Sequence, residues 1–181
     1  MEKQRIINNF LKFNDKKTTL KEKVVLMNFF YTDVNKYSEN LDKKKFPHFL
    51  IYKNGDILKL KNTFSIAHCM GINDEKNIYV ALENEGIIKN NVSSYLQYIE
   101  NSPFHKKWKG HSFFYEYTDL QYDSLNYLLP IILDEHEIEK KCVTSNIEKV
   151  NDKYHGICGR SNIIDSYYDM TPSFLWNKIL L

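Results

Sequence analysis

The sequence has little excess charge, little cysteine and no long apolar segment. Its 25 basic and 23 acidic residues leave a formal net charge of only +2. A domain that binds nucleic acid through bulk charge is strongly basic, so we expect no nucleic-acid partner. The three cysteines are odd in number and contain no CxxC pair, so no disulfide framework is implied.

No apolar run in the sequence is long enough to cross a membrane as a helix. Residues 1–23 are charged and lack the continuous apolar region of a secretory signal peptide. We therefore expect no membrane partner and no export through a signal peptide.

Arginine is almost missing, because only Arg5 and Arg160 of the 25 basic residues are arginine. With abundant Asn, Ile and Tyr, this bias indicates an AT-rich coding sequence of the kind found in some phages, viruses and bacteria. Where lysine is the default base, an arginine can be kept for its planar fork, which pairs with carboxylates and phosphates. Arg160 is thus a candidate binding residue; the alternative is that it fixes its own loop through Asp165 or Asp169.

The 181 residues, 43% of them hydrophobic, suit one domain with a real core. Asn54-Gly55 supplies a tight hairpin turn, and Thr118 with Gln121 forms a capping box that opens a long helix. The predicted elements are an N-terminal helical extension in residues 1–21, a buried strand Val24–Tyr31, a hairpin of Phe46–Tyr52 and Ile57–Leu60, a buried strand Asn77–Leu82, the long helix, a short strand Lys141–Thr144 and a terminal helix within Pro172–Leu181.

This order of elements predicts an α/β (α+β) fold with a central mixed β-sheet flanked by helices, in a single domain spanning residues 1–181. The segment Gly156–Asn162 is interpreted as a loop that could place Arg160 in a cleft. Asn84-Glu85-Gly86 is a predicted turn, so Glu83 and Glu85 are both expected to face solvent, and His111 is expected on the surface.

Several motifs together resemble the zinc-dependent N-acetylmuramoyl-L-alanine amidases, a family that includes phage lysozymes and peptidoglycan recognition proteins. The resemblance covers roughly residues 22–178, and some large-phage and viral members are similar also in Gly156–Asn162. The motifs that carry it are Phe46–Ile51 with Lys53–Ile57, Ala67–Gly71, Asn77–Gly86, Tyr117–Gln121 and Asp169–Phe174.

The resemblance implies amide hydrolysis by a zinc-bound water, with three protein ligands and an open fourth position. Carried over by position, the first ligand histidine falls on Asn28 and the catalytic strand glutamate on Ala81. The second ligand falls on Ser145 when counted from the long helix, which we prefer, or on Arg160 when counted back from Asp169. Asp169 alone keeps a ligand's chemistry.

A rearranged site is the alternative to a lost one. His48 and His68 occupy motif positions that line or flank the family's cleft, and with Asp169 they could form a set of two histidines and one carboxylate. We otherwise expect no cofactor, and we expect His48 to pack in the sheet and His68 to bond to backbone in its turn.

Three functions remain open from the sequence. The lost ligands favour a non-catalytic protein that binds peptidoglycan fragments or a protein partner, as a phage or viral accessory or virion component. The overall resemblance favours an active amidase that cleaves the muramoyl–L-alanine bond with zinc. A regulator that binds another protein is the third. With no signal peptide, the expected location is the host cytoplasm or a virion.

Overall fold

The structure is a computed structural model that describes residues 20–29, 46–88, 108–111 and 113–181, and the backbone of residues 6–8. Six strands form one sheet in the order β1-β4-β3-β5-β2-β6. The strands are β1 (Ile6–Asn8), β2 (Lys23–Phe29), β3 (Phe49–Ile51), β4 (Ile57–Lys59), β5 (Asn77–Glu83) and β6 (Gly156–Gly159). The helices are α1 (Asp119–Glu135) and the short α2 (Arg160–Ile163), with single 3₁₀ turns at Asp74–Lys76 and Trp176–Lys178.

The centre of the sheet is parallel and buried on both faces. β2 pairs in parallel with β5 on one side and with β6 on the other. Val24, Val25 and Leu26 are completely buried, which is the continuous apolar pattern of a strand covered on both sides. The two predicted buried strands are confirmed as β2 and β5, with residues 30 and 31 of the first outside the described residues. The mixed sheet is confirmed too, because β4 runs antiparallel to β3.

The hairpin between β3 and β4 turns where Asn54-Gly55 predicts it. Gly55 has a φ of 84°, and its N–H donates to the Tyr52 carbonyl at 2.9 Å. A Cβ at Gly55 would lie 3.1 Å from the Leu120 carbonyl oxygen, so this glycine also lets α1 approach the turn. The hairpin tip and the start of α1 are therefore packed together.

Helix α1 begins with the predicted capping box. Thr118 Oγ1 accepts from the Gln121 N–H, and Gln121 Oε1 accepts from the Thr118 N–H, both at 3.1 Å. Thr118 also donates to the Lys53 carbonyl at 2.8 Å, and Gln121 Nε2 donates to the Glu83 carbonyl at 3.0 Å. The cap thus anchors the helix to the hairpin and to the end of β5. No helix within the described ranges is both long and apolar enough to cross a bilayer.

The two ends of the chain differ from the prediction. Ile6–Asn8 is a strand parallel to β4, where a helix was predicted; the rest of residues 1–19 lies outside the described residues. Lys21, the last residue of the predicted helical extension, is buried and donates to the carbonyls of Ser65, Glu75 and Asn77. These three hydrogen bonds satisfy the ammonium group, which would otherwise be costly to bury.

The predicted terminal helix is reduced to the 3₁₀ turn at Trp176–Lys178. Side chains of α1 take the place of helical hydrogen bonds here: Asn126 Nδ2 donates to the Lys178 carbonyl, and Asn126 Oδ1 accepts from the Leu180 N–H. Tyr122 Oη accepts from the Leu175 N–H at 2.7 Å. The tail is therefore held extended along α1.

The segment after α1 was also predicted incorrectly. Gly156–Gly159 is the buried strand β6 and not a loop, and the predicted strand at 141–144 is a single bridge between Cys142 and Ile157. Two glycines in four residues gave no strand signal, because glycine is depleted in strands. Its pairing with β2 decides this conformation.

Candidate functional site

A cavity of about 600 Å³ opens where β2, β5 and β6 end. The carboxyl ends of parallel strands meet at one edge of a sheet, so residues far apart in sequence converge there. The lining residues are Asn28, Glu85, Gly86, Ile87, His111, Arg160, Ser166, Tyr167, Tyr168 and Asp169.

An ion pair with shared hydrogen bonds forms the floor of the cavity. Arg160 Nε donates to Asp169 Oδ2 at 2.8 Å, and the Asn28 backbone N–H donates to the same oxygen at 2.9 Å. The side chains of Arg160 and Asp169 are 17% and 6% exposed. One oxygen of Asp169 therefore accepts from a cationic side chain and from a backbone N–H.

Tyr117 fixes the Asn28 amide at the same place. Its hydroxyl donates to Asn28 Oδ1 at 2.5 Å and lies 3.3 Å from Thr171 Oγ1. Burial raises the pKa of Tyr117 well above its ordinary range, so the hydroxyl keeps its proton and remains a donor. The Asn28 carbonyl oxygen is thus engaged in a hydrogen bond inside the protein.

Gly159 permits the close approach of the two segments that carry the ion pair. A Cβ at Gly159 would lie 2.9 Å from the Met170 nitrogen and 3.1 Å from Asn162 Oδ1. The Ser161 N–H donates to the Asp169 carbonyl at 2.6 Å, which ties the start of α2 to the same segment. Arg160 and Asp169 are therefore positioned by backbone contacts as well as by their charges.

The remaining contacts of Arg160 hold its plane. The guanidinium carbon lies 4.5 Å from the centre of the Tyr167 ring, and Nη1 donates to the Cys69 carbonyl at 3.4 Å. Nη2 has no hydrogen-bond partner in the part of the chain that the structure describes. The arginine therefore has mainly a structural role, but its Nη2 group is left as a hydrogen-bond donor for a ligand.

A lysine fixes the aromatic wall of the cavity. Lys109 Nζ donates to the carbonyls of Asp165 and Tyr167, and it lies 4.9 Å and 5.4 Å from the ring centres of Trp108 and Tyr168. Burial lowers the pKa of Lys109 below its ordinary value. The Trp108 and Tyr168 rings meet edge to face at 6.0 Å. This lysine therefore ties residues 165–168 to the segment 108–111.

The residues at this floor do not suit a zinc ion. Zinc needs donors with free lone pairs, such as imidazole, thiolate or carboxylate, and a guanidinium has none. Arg160 brings a positive charge to the one carboxylate, and the Asn28 oxygen is already bonded to Tyr117. Within the described ranges, no three His, Cys, Asp or Glu side chains lie close enough to hold a metal ion.

The sequence-predicted site residues separate into two groups. Asn28, Arg160 and Asp169 come together in the cavity, whereas His48 and His68 do not line it. His48 is completely buried: its Nδ1 accepts from the Tyr79 N–H at 2.9 Å, and Nε2 lies 3.1 Å from the Ser65 carbonyl. Burial lowers the pKa of His48 to about 3, so it is a neutral core residue.

His68 is half exposed and lies 3.8 Å from Asp74. The set of His48, His68 and Asp169 is therefore not assembled, and the assignment of both histidines to the cleft is corrected. His48 packs in the sheet because one ring nitrogen bonds to the Tyr79 N–H of β5 and the other to the Ser65 carbonyl of the 61–67 loop.

The structure favours Arg160 over Ser145 as the residue beside Asn28 and Asp169. The Ser145 carbonyl accepts from Asn162 Nδ2 at 2.9 Å, and Ser145 does not line the cavity. The preferred count assumed a short connection after the long helix. In the structure, residues 136–155 separate α1 from β6, so that count stops too early.

Several lining residues were missed by the sequence analysis. Glu85, which is exposed as predicted, and His111, expected on the surface, also line the cavity, and Ser166, Tyr167 and Tyr168 were not singled out. The tyrosines directly precede Asp169, so proximity to a motif residue was the available signal. In the neighbouring aromatic segment, Trp108 and Phe114 are buried and Phe113 is 40% exposed; residues 104–107 and 112 lie outside the described residues.

No protein-family model matches the chain, and no curated protein matches it. Three solved structures share its fold. The N-acetylmuramoyl-L-alanine amidase LysC from Clostridium intestinale has a TM-score of 0.57 and 12% identity, covering 97% of this chain and 94% of LysC. The hydrolase AmiA from Staphylococcus aureus has a TM-score of 0.54 and 11% identity, covering 88% of this chain and 66% of AmiA.

A selenomethionine derivative of AmpD has a TM-score of 0.53 and 14% identity, covering 99% of this chain and 93% of AmpD. Identities this low establish a shared fold and nothing finer. The chain therefore has the α/β fold of the N-acetylmuramoyl-L-alanine amidases.

Proposed function

We propose that this chain is a non-hydrolytic protein of the amidase fold that binds peptidoglycan fragments in its cavity. The observation that carries the proposal is the Arg160 guanidinium, held 2.8 Å from Asp169 at one of the two positions on which the family's second zinc ligand can fall. The fixed cation there forms an ion pair with the Asp169 carboxylate. LysC, which shares the fold, is by name an enzyme that acts on the muramoyl–L-alanine amide.

Two measurements on the purified chain test the absence of catalysis. After dialysis against a weak chelator, elemental mass spectrometry should find far less than one zinc per chain. Isolated cell walls should show no new free amino groups after incubation with the protein. About one zinc per chain together with wall hydrolysis would overturn the proposal and establish the active amidase.

Binding is tested separately with soluble wall fragments in isothermal titration calorimetry. We expect Arg160→Gln to weaken binding about tenfold or more, since a truncated charged anchor costs at least that much. Lys140→Gln removes the same charge beyond the end of α1, at a residue that does not line the cavity, and should bind as the parent does. No heat with any fragment, from a folded protein, would favour a protein partner in the cavity instead.

We also infer that residues 1–181 form one domain of a phage or viral accessory protein, in the host cytoplasm or a virion. A single hydrophobic cluster that runs from Val24 to Ile179 supports the one domain. The scarcity of arginine supports the source. Coincident unfolding transitions in fluorescence and circular dichroism would be expected of one domain, and two separate transitions would contradict it.

A further inference from the structure

We propose that the cavity binds the amino-carboxylate head of an amino acid, with its carboxylate on Arg160 and its ammonium group on Asp169 and Glu85. This inference rests on the proposed function only in taking the cavity as a binding site. The proposed ligand group carries two charges, whereas a hydrolase of this fold would be expected to bind an uncharged amide at the same place.

The carboxylate position follows from the unused edge of Arg160. Nε is taken by Asp169 and Nη1 makes one long bond to the Cys69 carbonyl, while Nη2 has no hydrogen-bond partner among the described residues. Stacking on the Tyr167 ring at 4.5 Å fixes the guanidinium plane. A pre-positioned guanidinium with an open donor is a strong site for a carboxylate, because little side-chain entropy is lost on binding.

The ammonium position follows from the unused oxygen of Asp169. Oδ2 accepts both the Arg160 and the Asn28 bonds, whereas Oδ1 accepts none from the described residues. The Asp169 side chain is only 6% exposed, and a carboxylate has capacity for about four hydrogen bonds. A donor with positive charge would complete the hydrogen bonding of this nearly buried acceptor.

The charges of the cavity disfavour ligands that carry only positive or only negative charge. Among the lining residues, Arg160 contributes one positive charge, and Asp169 and Glu85 contribute two negative charges. Lys53, which is not a lining residue, lies 3.9 Å from Glu85. A phosphate dianion would face two carboxylates, and a simple amine would face the guanidinium. A ligand with both charges meets a partner for each, which is electrostatic complementarity.

The size of the cavity indicates that more than the head enters. About 600 Å³ is within the range of small-molecule sites and exceeds what an amino-carboxylate group fills. The Tyr167 and Tyr168 rings, held in place by Lys109, line the remaining wall. The head could belong to a free amino acid or to a peptide in which a diamino acid is linked through its side chain.

Titrations followed by ¹H–¹⁵N NMR test the proposal with matched probes. Free L-alanine carries both the carboxylate and the ammonium group. N-acetyl-L-alanine carries only the carboxylate, and L-alaninamide carries only the ammonium group. We expect L-alanine to shift the signals of residues lining the cavity. Each blocked form should bind at least about tenfold more weakly than L-alanine. A peptide attached to the ε-amino group of a lysine, whose α-amino and α-carboxylate groups stay free, distinguishes a peptide ligand from a free amino acid. This peptide should bind more tightly than L-alanine if the natural ligand is a peptide.

Two variants and one control make the test independent of folding. Arg160→Gln and Glu85→Gln should each weaken binding of L-alanine, and Glu85, whose side chain is 40% exposed, can be changed without disturbing the core. Lys140→Gln should leave the binding unchanged. Equal binding of L-alanine and N-acetyl-L-alanine would overturn the head assignment.

The failure of this inference is distinguishable from the failure of the proposed function. Wall fragments that bind at the cavity while neither L-alanine nor the ε-linked peptide does would overturn the amino-carboxylate site and leave the binding protein. Zinc in the purified chain with wall hydrolysis would overturn the proposed function itself.

Discussion

Arg160 and Asp169 form an ion pair with little access to solvent, and such pairs are fragile when one partner is lost. Removing both charges from water is costly, and the cost is offset by the 2.8 Å contact and by the Asn28 N–H. When the carboxylate is deleted, the guanidinium and the Asn28 N–H both lose their acceptor. The pair is therefore expected to matter more for stability than an exposed pair does.

We predict that Asp169→Ala destabilises the protein by about 3 kcal/mol, the cost of leaving a buried charge unpaired. Urea unfolding followed by tryptophan fluorescence measures the change. The control is Asp165→Ala, which removes a carboxylate 87% exposed in its pair with Lys149 and should cost less than about 1 kcal/mol. Equal losses in the two variants would show that the Arg160 pair is no stronger than a surface pair.

His48 makes the stability of the folded chain depend on pH. Burial lowers the pKa of His48 to about 3, whereas an unfolded histidine titrates near its ordinary value of about 6.5. As pH falls below that value, the unfolded chain takes up a proton that the folded chain excludes. Stability from this group is therefore complete above the unfolded pKa and is lost on acidification from about 6.5 towards about 3.

We predict that His48→Gln flattens the loss of stability between pH 6.5 and pH 4.5 by up to about 1.4 kcal/mol per pH unit. Glutamine can still donate to the Ser65 carbonyl and accept from the Tyr79 N–H, although the variant should be less stable at neutral pH. Urea midpoints at several pH values measure the slope. His68→Gln, at a half-exposed position, should keep the parent slope, and an unchanged slope in His48→Gln would contradict the assignment.

At the scale of elements, the cap of α1 connects three parts of the fold. Thr118 Oγ1 accepts from the Gln121 N–H and donates to the Lys53 carbonyl of the hairpin. Gln121 in turn bonds to the end of β5. This cap therefore fixes the hairpin and the β5 end relative to the helix, as well as satisfying the first turn of α1.

We predict that Thr118→Ala costs about 1–2 kcal/mol of unfolding free energy, at the upper end of N-cap losses, because two hydrogen bonds are removed. Thr118→Ser is the matched control, since it keeps the hydroxyl and should cost less than about 0.5 kcal/mol. Chemical denaturation of both variants measures the difference. A serine variant as unstable as the alanine variant would show that the methyl group, not the cap, is responsible.

At the scale of the whole molecule, the sheet order brings the ends of β2 and β6 and the segment before Met170 to one place. Asn28, Arg160 and Asp169 occupy that place, and two changes would give it three residues with zinc-ligand chemistry. The cavity is therefore expected to be one pair of substitutions away from a metal site.

We predict that the double variant Asn28→His, Arg160→His binds about one zinc per chain, with a melting temperature that rises when zinc is added. Elemental mass spectrometry and calorimetry measure the two effects. Each single variant should retain much less zinc, because two ligands hold the ion more weakly than three. A folded double variant without zinc would show that the three positions do not converge as the structure has them.

The sequence by itself determined the elements whose signals are local. Val24–Phe29 and Asn77–Leu82 are recognisable as buried strands because successive residues are apolar, and the Asn54-Gly55 turn and the Thr118 cap each depend on a few adjacent residues. The resemblance of these motifs to a known family predicted the fold correctly. It also singled out three residues that line the cavity: Asn28, Asp169 and, as one of two candidate positions, Arg160.

Only the tertiary structure decided which residues meet. β6 contains two glycines and is a strand because β2 offers its backbone hydrogen bonds, so the position of Arg160 depends on pairing across more than 130 residues. Lys21 is buried because three carbonyls from segments distant in the sequence converge on it. His48 belongs to the core because its two nitrogens match backbone groups of other segments. Such contacts depend on the order of the strands in the sheet, which short-range patterns do not encode.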